Sequence, residues 1–289
     1  MGKVFKALNR AATSAHLEEV AATNPEPTTE ERPGRYSLQE KRPDSTPEMP
    51  SSTGRWDERL VQATAVTGPV AESIRNLRTR ILHPPSGRRP RSLLVTSASP
   101  QEGKSFICAN LGISLAQGVD NHCLLVDCDL RRPAQHVLFG RGNRAGLSDY
   151  LQHRKNIPEL LVPSGIDKLS LLPAGPSSIN PSELLGSNTM SMLVDELVTR
   201  YDDRIVLFDS PPLHAASETA ILAQHVDGVV LVVRYGLSRR EYVQTLVEAI
   251  GREKIVGVVF NAFTSNLIDT TVFGYYQYQR DPYGSEKLP

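Results

Sequence analysis

Three stretches of this 289-residue chain carry side chains suited to handling a phosphate ester. The first is Ala98-Ser99-Pro100-Gln101-Glu102-Gly103-Lys104-Ser105, laid out as G/A-x-x-x-x-G-K-[ST]. Glycine at 103 lets the backbone come close to a phosphate. The segment Pro100, Gln101, Glu102, Gly103, Lys104, Ser105 and Phe106 is the expected cradle, with N–H groups and a helix N-terminus facing the anion. In this layout Lys104 reaches the β and γ phosphates, and Ser105 offers its hydroxyl to Mg²⁺. The second stretch is Leu124-Leu125-Val126-Asp127-Cys128-Asp129-Leu130-Arg131. Asp127 closes an apolar run and Asp129 lies two residues on, so both can face the crevice at a strand's carboxyl end. An acid there holds a metal through water or accepts a proton. The third is Ile205-Val206-Leu207-Phe208-Asp209-Ser210-Pro211-Pro212. Asp209, directly after an apolar strand, has the layout of the acid that holds the metal in phosphoryl transfer.

The elements that must position these groups are legible as alternation. Short apolar runs occupy 92–97, 122–127, 169–173, 204–209, 228–234 and 255–261. Several are near-continuous hydrophobics, as expected of strands buried on both faces of a parallel sheet. Helix-like stretches at 104–117, 188–201 and 238–250 lie between them. Strands alternating with helices imply an α/β fold with a doubly wound, mainly parallel sheet and helices on both faces.

Outside this pattern the composition shifts. Residues 1–23 read as an amphipathic helix, with Val4, Phe5, Leu8, Ala12 and Ala15 near one face. Residues 24–59 are rich in Pro, Glu and Ser and read as a disordered linker that cannot bury enough apolar surface to offset its ordering entropy. The folded domain is expected over 60–263, followed by a flexible tail at 264–289. Four of the nine tyrosines fall in that tail: Tyr275, Tyr276, Tyr278 and Tyr283.

The formal net charge is zero, which points to no general attraction for nucleic acid. The three cysteines, Cys108, Cys123 and Cys128, form no CxxC pair, so they read as buried reduced thiols and not as a zinc or redox motif. No run of 18 apolar residues exists to span a membrane. The first residues lack the apolar core and cleavage site of a signal peptide, and Lys6 breaks the myristoylation pattern.

Taken in order, the three phosphate-handling stretches resemble the bacterial protein-tyrosine kinases of capsule and exopolysaccharide export, which are built on a P-loop fold of the partition-ATPase (SIMIBI) type. The second stretch matches the family's hhhDxDxR element and the third its hhhDxxP element. Upstream, Glu72-Ser73-Ile74-Arg75-Asn76-Leu77-Arg78 fits its E-x-x-R-x-x-R element. Ala223 to Arg234 and the tyrosine-rich tail are also similar. Three positions depart from the expected pattern: Ala98 stands at the loop's first position in place of glycine, Gln101 where the family carries glycine, and Glu218 where aspartate is frequent.

The resemblance implies a protein-tyrosine autokinase that moves the γ-phosphoryl of Mg·ATP to Tyr275, Tyr276, Tyr278 and Tyr283. It implies Asp127 as the base that takes the phenol proton, with Lys104 and Arg131 beside it in the catalytic group. Ser105, Asp129 and Asp209 would organise Mg²⁺, and Asn261 would contact adenine. Glu72, Arg75 and Arg78 would join subunits into a ring. The implied partners are a membrane-embedded polysaccharide co-polymerase as activator and a tyrosine phosphatase. The implied location is cytoplasmic, at the inner face of the plasma membrane through that partner. Two other readings stand beside it: a partition- or positioning-type ATPase, and an ATP-dependent scaffold controlling polysaccharide chain length. Positioning ATPases carry an extra lysine early in the loop, which this chain lacks.

Overall fold

A computed structural model describes residues 55–64, 68–84, 87–119, 121–143, 145–199, 204–215 and 217–262. The expected N-terminal helix, nearly all of the linker and the tyrosine tail lie outside the described residues.

Seven strands form one sheet in the order β3-β4-β2-β5-β1-β6-β7. They are β1 (Ser92–Ser97), β2 (His122–Asp127), β3 (Val162–Ile166), β4 (Leu169–Leu172), β5 (Arg204–Asp209), β6 (Gly228–Arg234) and β7 (Ile255–Asn261). Every neighbouring pair is parallel except β3 and β4. The hydrophobic runs are explained by burial on both faces. All of β1 is buried, and all of β2 and β5 beyond the first residue.

The helices are α1 (Glu58–Ala63), α2 (Pro69–Leu82), α3 (Lys104–Ala116), α4 (Gln135–Leu138), α5 (Leu147–Leu151), α6 (Ile157–Leu160), α7 (Pro181–Leu185), α8 (Asn188–Thr199), α9 (Glu218–His225) and α10 (Arg240–Ile250). They divide between two cores, one on each face of the sheet. Leu93, Val95, Leu125 and Leu207 point to the face covered by α3 and α2. Leu94, Leu124, Val206 and Phe208 point to the face covered by α8, α9 and α10. This is the period-2 alternation of a strand serving two apolar layers. From Ile107 onward every residue of α3 is buried, which accounts for its lack of a polar face. At the base of the sheet the Asp227 carboxylate accepts the Arg91 and Ser92 N–H groups, tying β1 to β6.

Two expectations are corrected. The sequence reading holds six strands, and the structure adds β3, an antiparallel edge strand whose Pro163 and Gly165 hide it from a pattern search. The domain also begins earlier than residue 60. Trp56 stacks edge-on against Phe139 at 5.4 Å and donates Nε1–H to the Ser164 carbonyl at 3.1 Å. Asp57 N–H bonds to the Leu138 carbonyl, and Leu60 is fully buried. A single tryptophan in a polar stretch gives no periodicity, so only the tertiary contacts reveal the boundary.

Among the described residues no helix is long and apolar enough to cross a membrane.

Candidate nucleotide and phosphoryl-transfer site

The site sits where β1 has β5 on one side and β6 on the other, at the strands' carboxyl ends, the crevice in which open α/β sheets bind ligands. β1 runs straight into the loop at Ala98, and α3 starts at Lys104. The loop turns tightly, with Gln101 at φ 63° and Gly103 at φ 92°. Gly103 caps α3, its carbonyl accepting the Ile107 N–H at 3.0 Å. The N–H groups of the first turn therefore stand outside the helical ladder, free for an anion.

The loop is held from behind. The buried Glu102 carboxylate accepts the Ala98 N–H at 3.1 Å and the Ser238 hydroxyl at 2.6 Å. Arg234 donates to the Gln101 carbonyl at 2.9 Å, and Asn261 Nδ2 donates to the Glu102 carbonyl at 2.9 Å. Glu102 thus offers a ligand its backbone alone, since its carboxylate is spent inside. Pro100 has no N–H and shapes the loop instead of donating. Asn261 lies against the loop at Gly103, its amide nitrogen committed to Glu102 and its Oδ1 to the Ala262 N–H. To read adenine, that amide must be shared with the loop.

The structure brings Lys104, Ser105, Asp127, Asp129 and Asp209 together. Lys104 Nζ pairs with Asp129 Oδ2 at 2.8 Å and reaches Ser105 Oγ at 3.3 Å. Burial works against the Lys104 ammonium, but the charges of Asp209, Asp129 and Asp127 outweigh it and raise its pKa. Asp127 and Asp209 are register partners on β2 and β5, and both are fully buried. Asp127 accepts three backbone N–H groups, from Asp129 at 3.2 Å and from Ala134 and Gln135 at 3.0 Å each. Burial, then the neighbouring Asp209 charge, still pushes its carboxyl well above the ordinary range. Burial likewise raises Asp209, against the pull of Lys104, Gln135 and Ser105.

Arg131 is turned away from this centre. Its guanidinium contacts the Ser182 hydroxyl on α7 and the buried Glu218 carboxylate on α9, the latter at 3.4 Å. It braces the loop that carries Asp129, and Glu218, where aspartate was the family's residue, is long enough to meet it. The residues expected at a subunit contact lie on α2. Glu72 and Arg75 pair with each other at 2.7 Å, and Arg78 donates to the Ser114 carbonyl on α3 at 2.8 Å. The four tail tyrosines lie outside the described residues.

Sequence reasoning missed Gln135. Its Nε2 donates to Asp209 Oδ2 at 2.8 Å and to the Ser105 carbonyl at 3.0 Å, while its own N–H holds Asp127. It joins all three stretches, but no spacing rule singles out one glutamine at the start of a four-residue helix.

The residues fit a Mg²⁺ ion of the P-loop kind. Asp209 Oδ1 is buried, and the carboxylate takes side-chain hydrogen bonds from Gln135 and Ser105, which leaves lone pairs for a cation. Among the described residues no group of three or more His, Cys, Asp or Glu forms a ready cage. A Mg²⁺ bound through one or two protein oxygens, phosphates and waters needs none.

Fold and site together define a P-loop nucleotide-binding protein. The family model of the CobQ/CobB/MinD/ParA nucleotide binding domain matches residues 93–283. The chain is 34% identical to the tyrosine-protein kinase YwqD of Bacillus subtilis over 224 residues, 77% of this chain and 92% of that one. It is 34% identical to the tyrosine-protein kinase Wzc of Salmonella typhimurium over 223 residues, 75% of this chain but 31% of the relative, so it spans about a third of that protein's length. The kinase domain of Escherichia coli tyrosine kinase Etk superposes with a TM-score of 0.65 at 27% identity, over 76% of this chain and 87% of that one. The chain belongs to the CobQ/CobB/MinD/ParA nucleotide-binding family and, within it, to the bacterial tyrosine-protein kinases.

Proposed function

We propose that this chain is a protein-tyrosine autokinase that transfers the γ-phosphoryl of Mg·ATP to its own tail tyrosines, Tyr275, Tyr276, Tyr278 and Tyr283. The observation that carries this reading is the convergence of Lys104, Ser105, Asp127, Asp129 and Asp209 at one strand-end crevice. The N–H groups of Gly103 to Phe106 bind the phosphates, and Lys104 leaves Asp129 to meet charge developing on the transferred group, the main catalytic contribution in phosphoryl transfer. Mg²⁺ would be held by Ser105 and Asp209, and by Asp129 once Lys104 has left it, and would supply positive charge against the phosphates.

A phenol with a pKa of about 10 needs a base near neutral pH. The raised pKa of Asp127 suits that role, because a carboxylate made more basic by burial accepts a proton more readily. Its three backbone donors hold it in place for the acceptor. The absence of a lysine early in the loop, between Ala98 and Glu102, favours this reading over a positioning ATPase.

Glu72, Arg75 and Arg78 would carry self-association into a ring that offers each tail to a neighbour. In the cell the chain would work at the inner membrane face, activated by a membrane-embedded polysaccharide co-polymerase and reset by a tyrosine phosphatase, in control of exopolysaccharide or capsule export.

The test is phosphotyrosine formation with Mg·ATP, run beside Lys104→Met and a variant lacking residues 275–289. Signal in the parent chain and its loss in both variants is expected. Nucleotide binding without phosphotyrosine, even with the cytoplasmic segment of a co-polymerase added, refutes the proposal.

A further inference from the structure

We propose that Gln135 is the positioning residue of the metal site: it pins Asp209 so that one carboxylate oxygen faces the metal, and it accepts a hydrogen bond from a water on that metal. The inference rests on the Mg·ATP reading and assigns a residue which that reading leaves without a role.

Gln135 is buried, with 1% of its surface exposed. Its amide orientation follows from its partners. Nε2 lies 2.8 Å from Asp209 Oδ2 and 3.0 Å from the Ser105 carbonyl, both acceptors, so the NH₂ end must face them. This uses both amide protons. It fixes Asp209 by Oδ2 and leaves Oδ1 buried, with lone pairs for a cation beside the Ser105 hydroxyl.

The same orientation leaves Gln135 Oε1 buried and without a donor among the described residues. Oε1 shares an amide carbon with the nitrogen that touches Asp209, so it lies beside that carboxylate. A buried carboxylate oxygen with lone pairs to spare and, on the amide bonded to that carboxylate, a buried carbonyl oxygen with no donor among the described residues form an arrangement that suits a cation and its water. A hydrated Mg²⁺ would satisfy both, taking Oδ1 as a ligand oxygen and offering a water proton to Oε1. Ser105, the other hard oxygen ligand, is tied to the same amide through its carbonyl. Gln135 therefore sets the spacing between the two protein ligands, and groups that orient metal ligands in this way govern affinity.

The experiment measures binding of a fluorescent ADP analogue to the full chain, in EDTA and across a Mg²⁺ titration. Gln135→Met keeps the side-chain volume and removes both polar atoms, and Gln135→Ala removes the side chain. Thermal melting without ligand reports the fold of each variant. The expected result is a Mg²⁺ half-saturation point about tenfold higher in both variants, with affinity in EDTA within about twofold of the parent. An unchanged Mg²⁺ half-saturation in Gln135→Met, or an equal loss of affinity with and without Mg²⁺, overturns the inference and leaves Gln135 as packing. A parent chain whose nucleotide affinity ignores Mg²⁺ overturns the Mg·ATP reading as well, so the two failures are distinct.

Discussion

Gly103→Ala should destabilise the nucleotide-free protein through a contact that can be removed independently. Gly103 has φ 92°, and a methyl group there would meet Asn261 Nδ2 at 2.0 Å and Cγ at 3.2 Å. A left-handed backbone costs a residue with a Cβ roughly 1–2 kcal/mol. The Asn261 side chain must also swing away, giving up its 2.9 Å bond to the Glu102 carbonyl, a loss of about 1 kcal/mol. Reduced freedom of the unfolded chain returns about 0.4–1 kcal/mol. The net loss is about 1–2.5 kcal/mol, and a domain of this size melts about 2–4 °C lower per kcal/mol. Thermal unfolding followed by circular dichroism should therefore show a fall of about 2–10 °C. In an Asn261→Ala background the clash is absent and only backbone strain remains, so the same substitution should cost about half as much. A Gly103→Ala midpoint equal to the parent's, or an undiminished penalty in the Asn261→Ala background, would refute the packing of β7 against the loop.

Three further outcomes follow. Folded Asp209 has a raised pKa, so the folded state holds more protons than the unfolded one; this favours folding below about pH 4 and is lost as pH rises through the raised value. Asp209→Asn should therefore melt above the parent at pH 8 without nucleotide, and the gap should narrow as pH falls in a melting series. Gln101→Gly relieves a positive φ at the cost of unfolded-chain entropy, two effects of about 1 kcal/mol each, so its midpoint should stay within a few degrees of the parent's. Trp56→Ala, which loses the Phe139 stack and the Ser164 bond, should cost about 2 kcal/mol in a urea titration; a silent substitution would return the domain boundary to residue 60.

The strands that flank the site were readable because burial on both faces forces near-continuous Leu, Ile and Val. β1, β2, β5, β6 and β7 fall where their runs predict, and the loop's glycine and lysine carry their geometry in their residue types. The missing information is tertiary. β3 is an edge strand with a proline and a glycine, so neither hydrophobicity nor alternation betrays it. The inward turn of Glu102 depends on Ser238, 136 residues away. The Lys104–Asp129 pair and the reach of Gln135 to Asp209 arise because β1, β2 and β5 end side by side, a juxtaposition that strand order creates and sequence spacing does not encode. Gln101 shows the reverse. Its departure from the family's glycine was visible in the sequence, and the φ of 63° gives the physical reason glycine suits the position.

The most direct test of the account is mass spectrometry of the full chain after incubation with Mg²⁺ and ATP labelled with ¹⁸O in its γ-phosphate. The account predicts labelled phosphate on Tyr275, Tyr276, Tyr278 or Tyr283 and none in Lys104→Met. Conversion of ATP to ADP with no labelled tyrosine would contradict it.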